Sequence, residues 1–241
     1  LPALKSVGTD VHLSKIDAIT NLLLNELLHV PGDVSLSEMA GLKILNISQV
    51  TTMGGSLVLD GNPELTTLHA EALTLVGGEL RIVSSPKILS LGFAKLETVG
   101  SASLSLSGGT LKLEGLTALN SLELQSLEAV RGGLVLTSLP FIEEMGFDAL
   151  TKLSELRLSD NAALSSLSLP SLTIIDPCWA VGEGCDTTDS PHAGWFTASN
   201  LPSLPLLSAP ALKVVTGTLH VEKNNALTKV QFDGVGHFAR L

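Results

Sequence analysis

The sequence predicts an all-β fold, a leucine-rich parallel β-solenoid of about nine coils that forms one domain over residues 1–241. A phrase repeats at a step of 23 residues, since Met53-Gly-Gly-Ser-Leu-Val-Leu59 returns as Val76-Gly-Gly-Glu-Leu-Arg-Ile82. Aliphatic residues recur at fixed places within each repeat. A coil of that length has room for three short strands but not for a full helix as well, so parallel sheets with little helix are expected.

Taking the residue before the glycine turn as position zero, the register starts at Val7, Val30, Met53, Val76, Ser107, Val130, Lys152 and Val215, with Ile175 opening an interrupted coil. Apolar residues fall at offsets 4, 6, 12, 15 and 20; from Met53 these are Leu57, Leu59, Leu65, Leu68 and Leu73. Offset 2 is glycine at Gly32, Gly55, Gly78, Gly109, Gly132 and Gly217, as expected of a corner that needs either positive φ or close backbone approach. Offsets 4 and 6 alternate with polar or variable residues at 3 and 5, such as Glu79 and Arg81 or Glu155 and Arg157, the period-2 mark of a half-buried strand. Shorter strands around offsets 12 to 16 and 20 to 23 complete three sides. No coil buries its rows alone, so stability grows with coil number.

Composition agrees with an interior filled by aliphatic side chains: 44% of residues are hydrophobic but only 3% aromatic, and tyrosine is absent. The net charge of −10 comes from scattered acids without a Lys/Arg cluster, which argues against nucleic acid and anionic membranes as partners. No apolar run approaches the length of a membrane span, so no membrane insertion is expected within this chain. The chain begins at Leu1, so a targeting signal is expected to have been removed or to lie outside it.

The pattern in Leu65-Thr-Thr-Leu68, Ala72-Leu-Thr-Leu-Val-Gly-Gly78, Leu204-Pro-Leu-Leu207 and Pro210-Ala-Leu-Lys-Val-Val215 resembles the receptor L-domain repeat. That family occurs in insulin-receptor and EGF-receptor ectodomains and in GPI-anchored fungal wall proteins. The resemblance implies a right-handed parallel β-helix and specifies fold better than function. Leu150-Thr-Lys-Leu153-Ser-Glu-Leu156-Arg-Leu158-Ser-Asp-Asn161 is similar to ordinary leucine-rich repeats, whose horseshoe is the competing architecture. The asparagine those repeats require, here at offset 9, is present only at Asn62, Asn161 and Asn224. Ile16, Met39, Ser85, Leu116 and Leu139 take its place elsewhere, which favours the L-domain-like solenoid.

The repeat breaks twice, and insertions in a solenoid are where function is commonly carried. The first adds eight residues near 99–106 and reads as a structural hairpin or bulged coil. The second, a loop near 177–200, holds Cys178, Cys185, Trp179, Trp195, His192 and Phe196. Six residues separate the cysteines, which suits a small disulfide-closed loop in an oxidising compartment. A zinc site would need more ligands than these cysteines and His192 supply, so no metal is expected. Trp179, His192, Trp195 and Phe196 are candidate partner-binding residues, and the plainer reading is that the aromatics pack the loop onto the rod.

Catalytic signs are missing, so neither a cofactor nor catalytic residues are expected. The strand positions at offsets 3 and 5 read Asp10/His12, Asp33/Ser35, Ser56/Val58, Glu79/Arg81, Thr110/Lys112, Gly133/Val135, Glu155/Arg157 and Thr218/His220. Only Asp10 and Asp33 adjoin as acids, and a solvated charged face explains them. The same row lacks the threonine ladder of an ice-binding solenoid, and no phosphate loop, dinucleotide fingerprint, zinc motif or nucleophile elbow occurs. One sequon, Asn46-Ile-Ser48, places a candidate N-glycan at offset 16.

Leu4 occupies offset 20 of a preceding coil and Phe238 offset 23 of the last, without visible polar caps. The ends are therefore expected to be covered by more chain, another domain or a neighbouring copy. The leading expectation is a non-enzymatic extracellular or cell-surface protein, a structural or adhesive scaffold assembling end to end. The alternative is a receptor-type recognition module binding a protein or glycan ligand.

Overall fold

A four-residue strand with alternate leucines covers too little surface to hold itself, so it must stack on copies of itself. The computed structural model of the chain, which describes residues 4–101, 109–180, 194–234 and 237–240, shows that stacking as a parallel β-solenoid of about nine coils. The only helical element among the described residues is the 3-10 turn Pro177–Ala180.

The first face carries strands Val11–Ser14, Val34–Ser37, Leu57–Asp60, Leu80–Val83, Leu111–Glu114 and Phe196–Ser199. The longer strands Ala129–Thr137, Lys152–Ser159 and Val214–Glu222 belong to it as well, and they begin on the third face and run through the corner. Register is strict, with Val34, Leu57, Leu80 and Leu111 in line across four coils. The third face adds two-residue strands such as Thr52–Met53 and Leu75–Val76, and together the two faces form one 15-stranded sheet. The second face, at offsets 14 to 16, is broken: Asn21–Leu23, Ile44–Asn46 and Thr67–His69 pair as a trio, and the remaining strands pair two by two.

Eight positions per coil face inward, three more than the apolar spacing alone indicates. From Val130 they are Val130, Leu134, Leu136, Leu139, Ile142, Met145, Phe147 and Leu150, all buried. The additional rows are position zero and offsets 9 and 17, and offset 17 takes Phe93 and Phe147 into the core. One apolar cluster runs from Leu22 to Val215, and in the first and last coils the same rows, at Val11, Leu13, Leu219 and Val221, are partly buried.

The corners take the second of the two expected forms, close approach, at most positions. Gly32, Gly55, Gly78 and Gly132 do not have positive φ; Gly109 alone of the described offset-2 glycines does. They are glycine because the offset-3 side chain of the preceding coil lies where a Cβ would be, namely Asp10, Asp33, Ser56 and Thr110. Those side chains cap the corner: Asp10 Oδ1 accepts the Asp33 amide at 2.8 Å, Asp33 Oδ1 the Ser56 amide at 2.6 Å, and Ser56 Oγ the Glu79 amide at 3.0 Å. Asp10 and Asp33 are thus corner caps, not merely a solvated charged face.

Positive φ sits at offset 8 instead, in all nine coils: Lys15, Glu38, Gly61, Ser84, Gly115, Ser138, Asp160, Asn200 and Lys223. Beside it, the three offset-9 asparagines brace neighbouring coils, Asn62 and Asn161 fully buried and Asn224 partly. Asn161 Oδ1 accepts the Leu139 amide and its Nδ2 donates to the Leu136 carbonyl, both at 3.0 Å. Asn62 does the same to Met39 and Leu36, and Asn224 to Leu201 and Ala198.

Two register positions are corrected. Leu153, not Lys152, pairs with Val130, so the one short interval loses its residue at the glycine corner. Val99 pairs with Val130 and holds position zero of its coil, while Ser107 lies outside the described residues.

Replacing Asn161 with alanine strands the Leu139 amide and the Leu136 carbonyl in the core. Urea denaturation is expected to show a loss of about 2–4 kcal/mol, because each orphaned buried group carries its full desolvation cost. Gly77→Ala would drive a methyl into the Gly54 carbonyl oxygen of the coil before it. It should cost about 1–3 kcal/mol by overpacking. Gly92→Ala meets nothing nearer than 3.9 Å and should shift the midpoint by less than about 0.5 kcal/mol.

Candidate functional site

Both insertions leave the rod at the same corner, between position zero and offset 3. The first departs after Gly100 and returns at Gly109, whose φ values are +94° and +88°, and the two backbones touch so closely that neither could carry a side chain. The second departs after Ile175 and returns at Gly194, which occupies offset 2 because Phe196 pairs with Leu156 and Leu219 at offset 4. A Cβ on Gly194 would overlap the Ile175 carbonyl, so this loop too is closed at its base by glycine.

The second loop accordingly ends before Phe196. Residues 196–200, included in the loop on sequence grounds, are a regular strand and its corner. Phe196 is fully buried and meets Phe232 edge to face at a centroid distance of 5.6 Å. It is therefore a core residue, and the reading of Phe196 as a partner contact is corrected. Trp195, one residue earlier, points the other way and is 42% exposed on the first face.

Around Trp195 the first face forms a groove of about 510 Å³. Its shape follows from side-chain length on three adjacent rungs. The middle rung offers only Thr197 and Ser199, whereas Arg157 stands over Thr197 on one side and His220 on the other. Ser159 and Glu222 flank Ser199 in the same way. Trp195 and Thr218 close one end, and Asp160 lies at the other, its Oδ1 accepting the Asn200 amide group at 2.7 Å.

Arg157, His220 and Glu222 meet partners within the rod, whereas the Asp160 carboxylate faces the neutral Asn200 amide. The Arg157 guanidinium donates to Glu155 at 2.8 Å, and Glu222 lies 3.6 Å from His220 and 3.5 Å from Lys223. The groove thus combines one large aromatic surface with hydroxyls, carboxylates and a guanidinium in fixed positions, the mixture typical of small-molecule recognition.

The remaining sequence candidates lie elsewhere. Trp179 and Cys178 are in the 3-10 turn Pro177–Ala180, where Asp176 Oδ1 accepts the Cys178 amide at 2.8 Å. Cys185 and His192 lie outside the described residues. Asn46 ends its strand half-buried, its Oδ1 accepting the Ser48 amide at 3.0 Å, and it borders a separate surface hollow with Lys5, Asn25 and Gln49. Among the described residues no group of three or more His, Cys, Asp or Glu is placed to hold a metal ion, and no helix is long and apolar enough to cross a membrane.

The pairing that builds the groove was hidden by the insertion, which displaces Trp195-Phe-Thr-Ala-Ser199 from its register. A signal was present: Phe196, Ala198, Leu201 and Leu204 keep the spacing of offsets 4, 6, 9 and 12. No family model, no curated protein and no solved structure matches this chain.

Trp195→Ala should therefore leave the fold intact, with a stability change below about 1 kcal/mol by urea titration. Phe196→Ala, one position away, should cost about 3–5 kcal/mol as a truncated core aromatic.

Proposed function

We propose that this chain is a non-enzymatic extracellular or cell-surface scaffold of the adhesive kind, an L-domain-like solenoid that holds out the Trp195 groove as its contact surface. The observation that supports the reading is the contrast along the first face. Where long side chains stand on other rungs they form ion pairs within or between coils, as Arg81 does with Asp60 at 3.3 Å and Lys112 with Glu114. Among the described residues of this face, Trp195 is the one large aromatic that stands exposed beside unfilled space; the more exposed Phe141 lies in a turn off the face, at a separate hollow. An exposed tryptophan at the start of a paired strand is the kind of anchor that dominates binding energy.

The extracellular setting rests on a Cys178–Cys185 disulfide and on an N-glycan at Asn46, both part of the proposal. Partners are a protein or a glycan, with self-association end to end as the assembly included in this reading. The receptor-type alternative uses the same groove to hold a single ligand, and the exposure of Trp195 favours it equally over a purely structural rod.

The test compares beads coated with the chain, or with its Trp195→Ala variant, on the surface of the cells that produce it. Retention should fall at least about tenfold in the variant, with the oligomeric state by light scattering unchanged. Equal retention of the two proteins would overturn the adhesive and receptor readings together and leave the structural rod.

A further inference from the structure

We propose that the Trp195 groove binds a neutral oligosaccharide. The inference rests on the reading of this groove as the contact surface and adds the chemistry of what it contacts.

A pyranose ring has an apolar face of C–H groups and an equatorial belt of hydroxyls, so its binding site needs a flat aromatic surface and in-plane hydrogen-bonding groups beside it. The groove supplies both. The exposed indole of Trp195 is the flat surface, and Arg157, Asp160 and Glu222 are planar groups able to bond two hydroxyls at once. Thr197 and Ser199 floor the space with hydroxyls short enough to leave room for a ring. Rungs lie about 4.8 Å apart and alternate side chains about 6.6 Å apart along a strand. That lattice is close in pitch to successive sugar units.

Charge selects a neutral ligand. The guanidinium of Arg157 is engaged by Glu155, while the carboxylates of Asp160 and Glu222 line the opening. A uronate, sialate, sulfate or phosphate would meet those carboxylates without an unpaired cation among the lining residues, and the chain as a whole carries −10.

Geometry disfavours a peptide. The strand Phe196–Ser199 is paired on both sides, so no backbone amide or carbonyl row is open to an added strand. Trp195 is the one large apolar side chain in the lining, too little to seat the alternating anchors of an extended peptide.

The experiment titrates the whole chain by calorimetry with gluco-, manno- and chito-oligosaccharides, and with a heparin fragment as the acidic comparison. At least one neutral series should bind, with affinity falling about 30-fold or more in Trp195→Ala, the loss expected of an aromatic anchor. Trp195→Phe should recover part of it, and Ser199→Arg, which fills the floor, should abolish it. Failure of every neutral series to bind, tighter binding of heparin, or unchanged affinity in Trp195→Ala would each overturn the proposal. A parallel arm treats the target cells with periodate or with protease before the bead assay. Adhesion that depends on Trp195 and is lost with periodate supports a glycan. Adhesion that depends on Trp195 but is lost only with protease overturns the glycan while leaving the contact surface standing. Adhesion indifferent to Trp195 removes the underlying reading itself.

Discussion

Everything in this molecule depends on backbone hydrogen bonds that join one coil to the next at the same angular position. The Val11 amide bonds the Asp33 carbonyl, the Val34 amide the Ser56 carbonyl and the Leu57 amide the Glu79 carbonyl, each at 2.8 Å. A parallel ladder of this kind tolerates no drift, because a slip of one residue turns every leucine outward. Surplus or missing residues must therefore be absorbed where the ladder can be interrupted. Both insertions, and the single deficit after Leu153, occur at the corner between the third and first faces. Glycine closes the base of each loop at that corner because two backbones have to touch there.

The rows at offsets 4 and 6 are legible in the sequence because outward neighbours are polar and inward ones are nearly all Leu, Ile or Val. Offset 17 is less so, since its residues are all apolar but range in size from Ala70 to Phe93. Offset 8 is hidden for a different reason. Lys15, Glu38, Ser84, Asp160 and Lys223 share a backbone at φ near +55° but no side-chain property. In every coil but that of Lys223, the strain of the left-handed region is met by a bond from the offset-8 amide to the next coil, as from Lys15 to Ser37 and from Glu38 to Asp60. Of the two reasons expected for glycine at the corner, positive φ or close approach, it is close approach that holds at most of these positions. The groove was half legible: Trp195 stood out as a rare aromatic, but Arg157, Ser159 and Glu222 become its neighbours only once the loop is removed from the count.

The groove also illustrates how a regular scaffold makes an irregular surface. Nine strands of the same backbone differ outward only in side-chain length and charge, so a depression arises wherever short residues lie between long ones. On the rungs of Arg81 and Lys112 the long side chains fold onto acidic neighbours and fill the surface. On the rung of Thr197 and Ser199 there is nothing to fold, and Trp195 adds a wall.

The ladder that fixes the register runs along the rod, not across it, and this gives the molecule an unusual response to force. Tension between its two ends passes through the interfaces between neighbouring coils in series, so they give way one after another. Each coil released exchanges a rise of about 4.8 Å for roughly 75–80 Å of extended backbone. Because each coil is held only by its neighbours, the rest of the stack stays folded while one is drawn out. Extension under load is thus expected to come in steps of one coil.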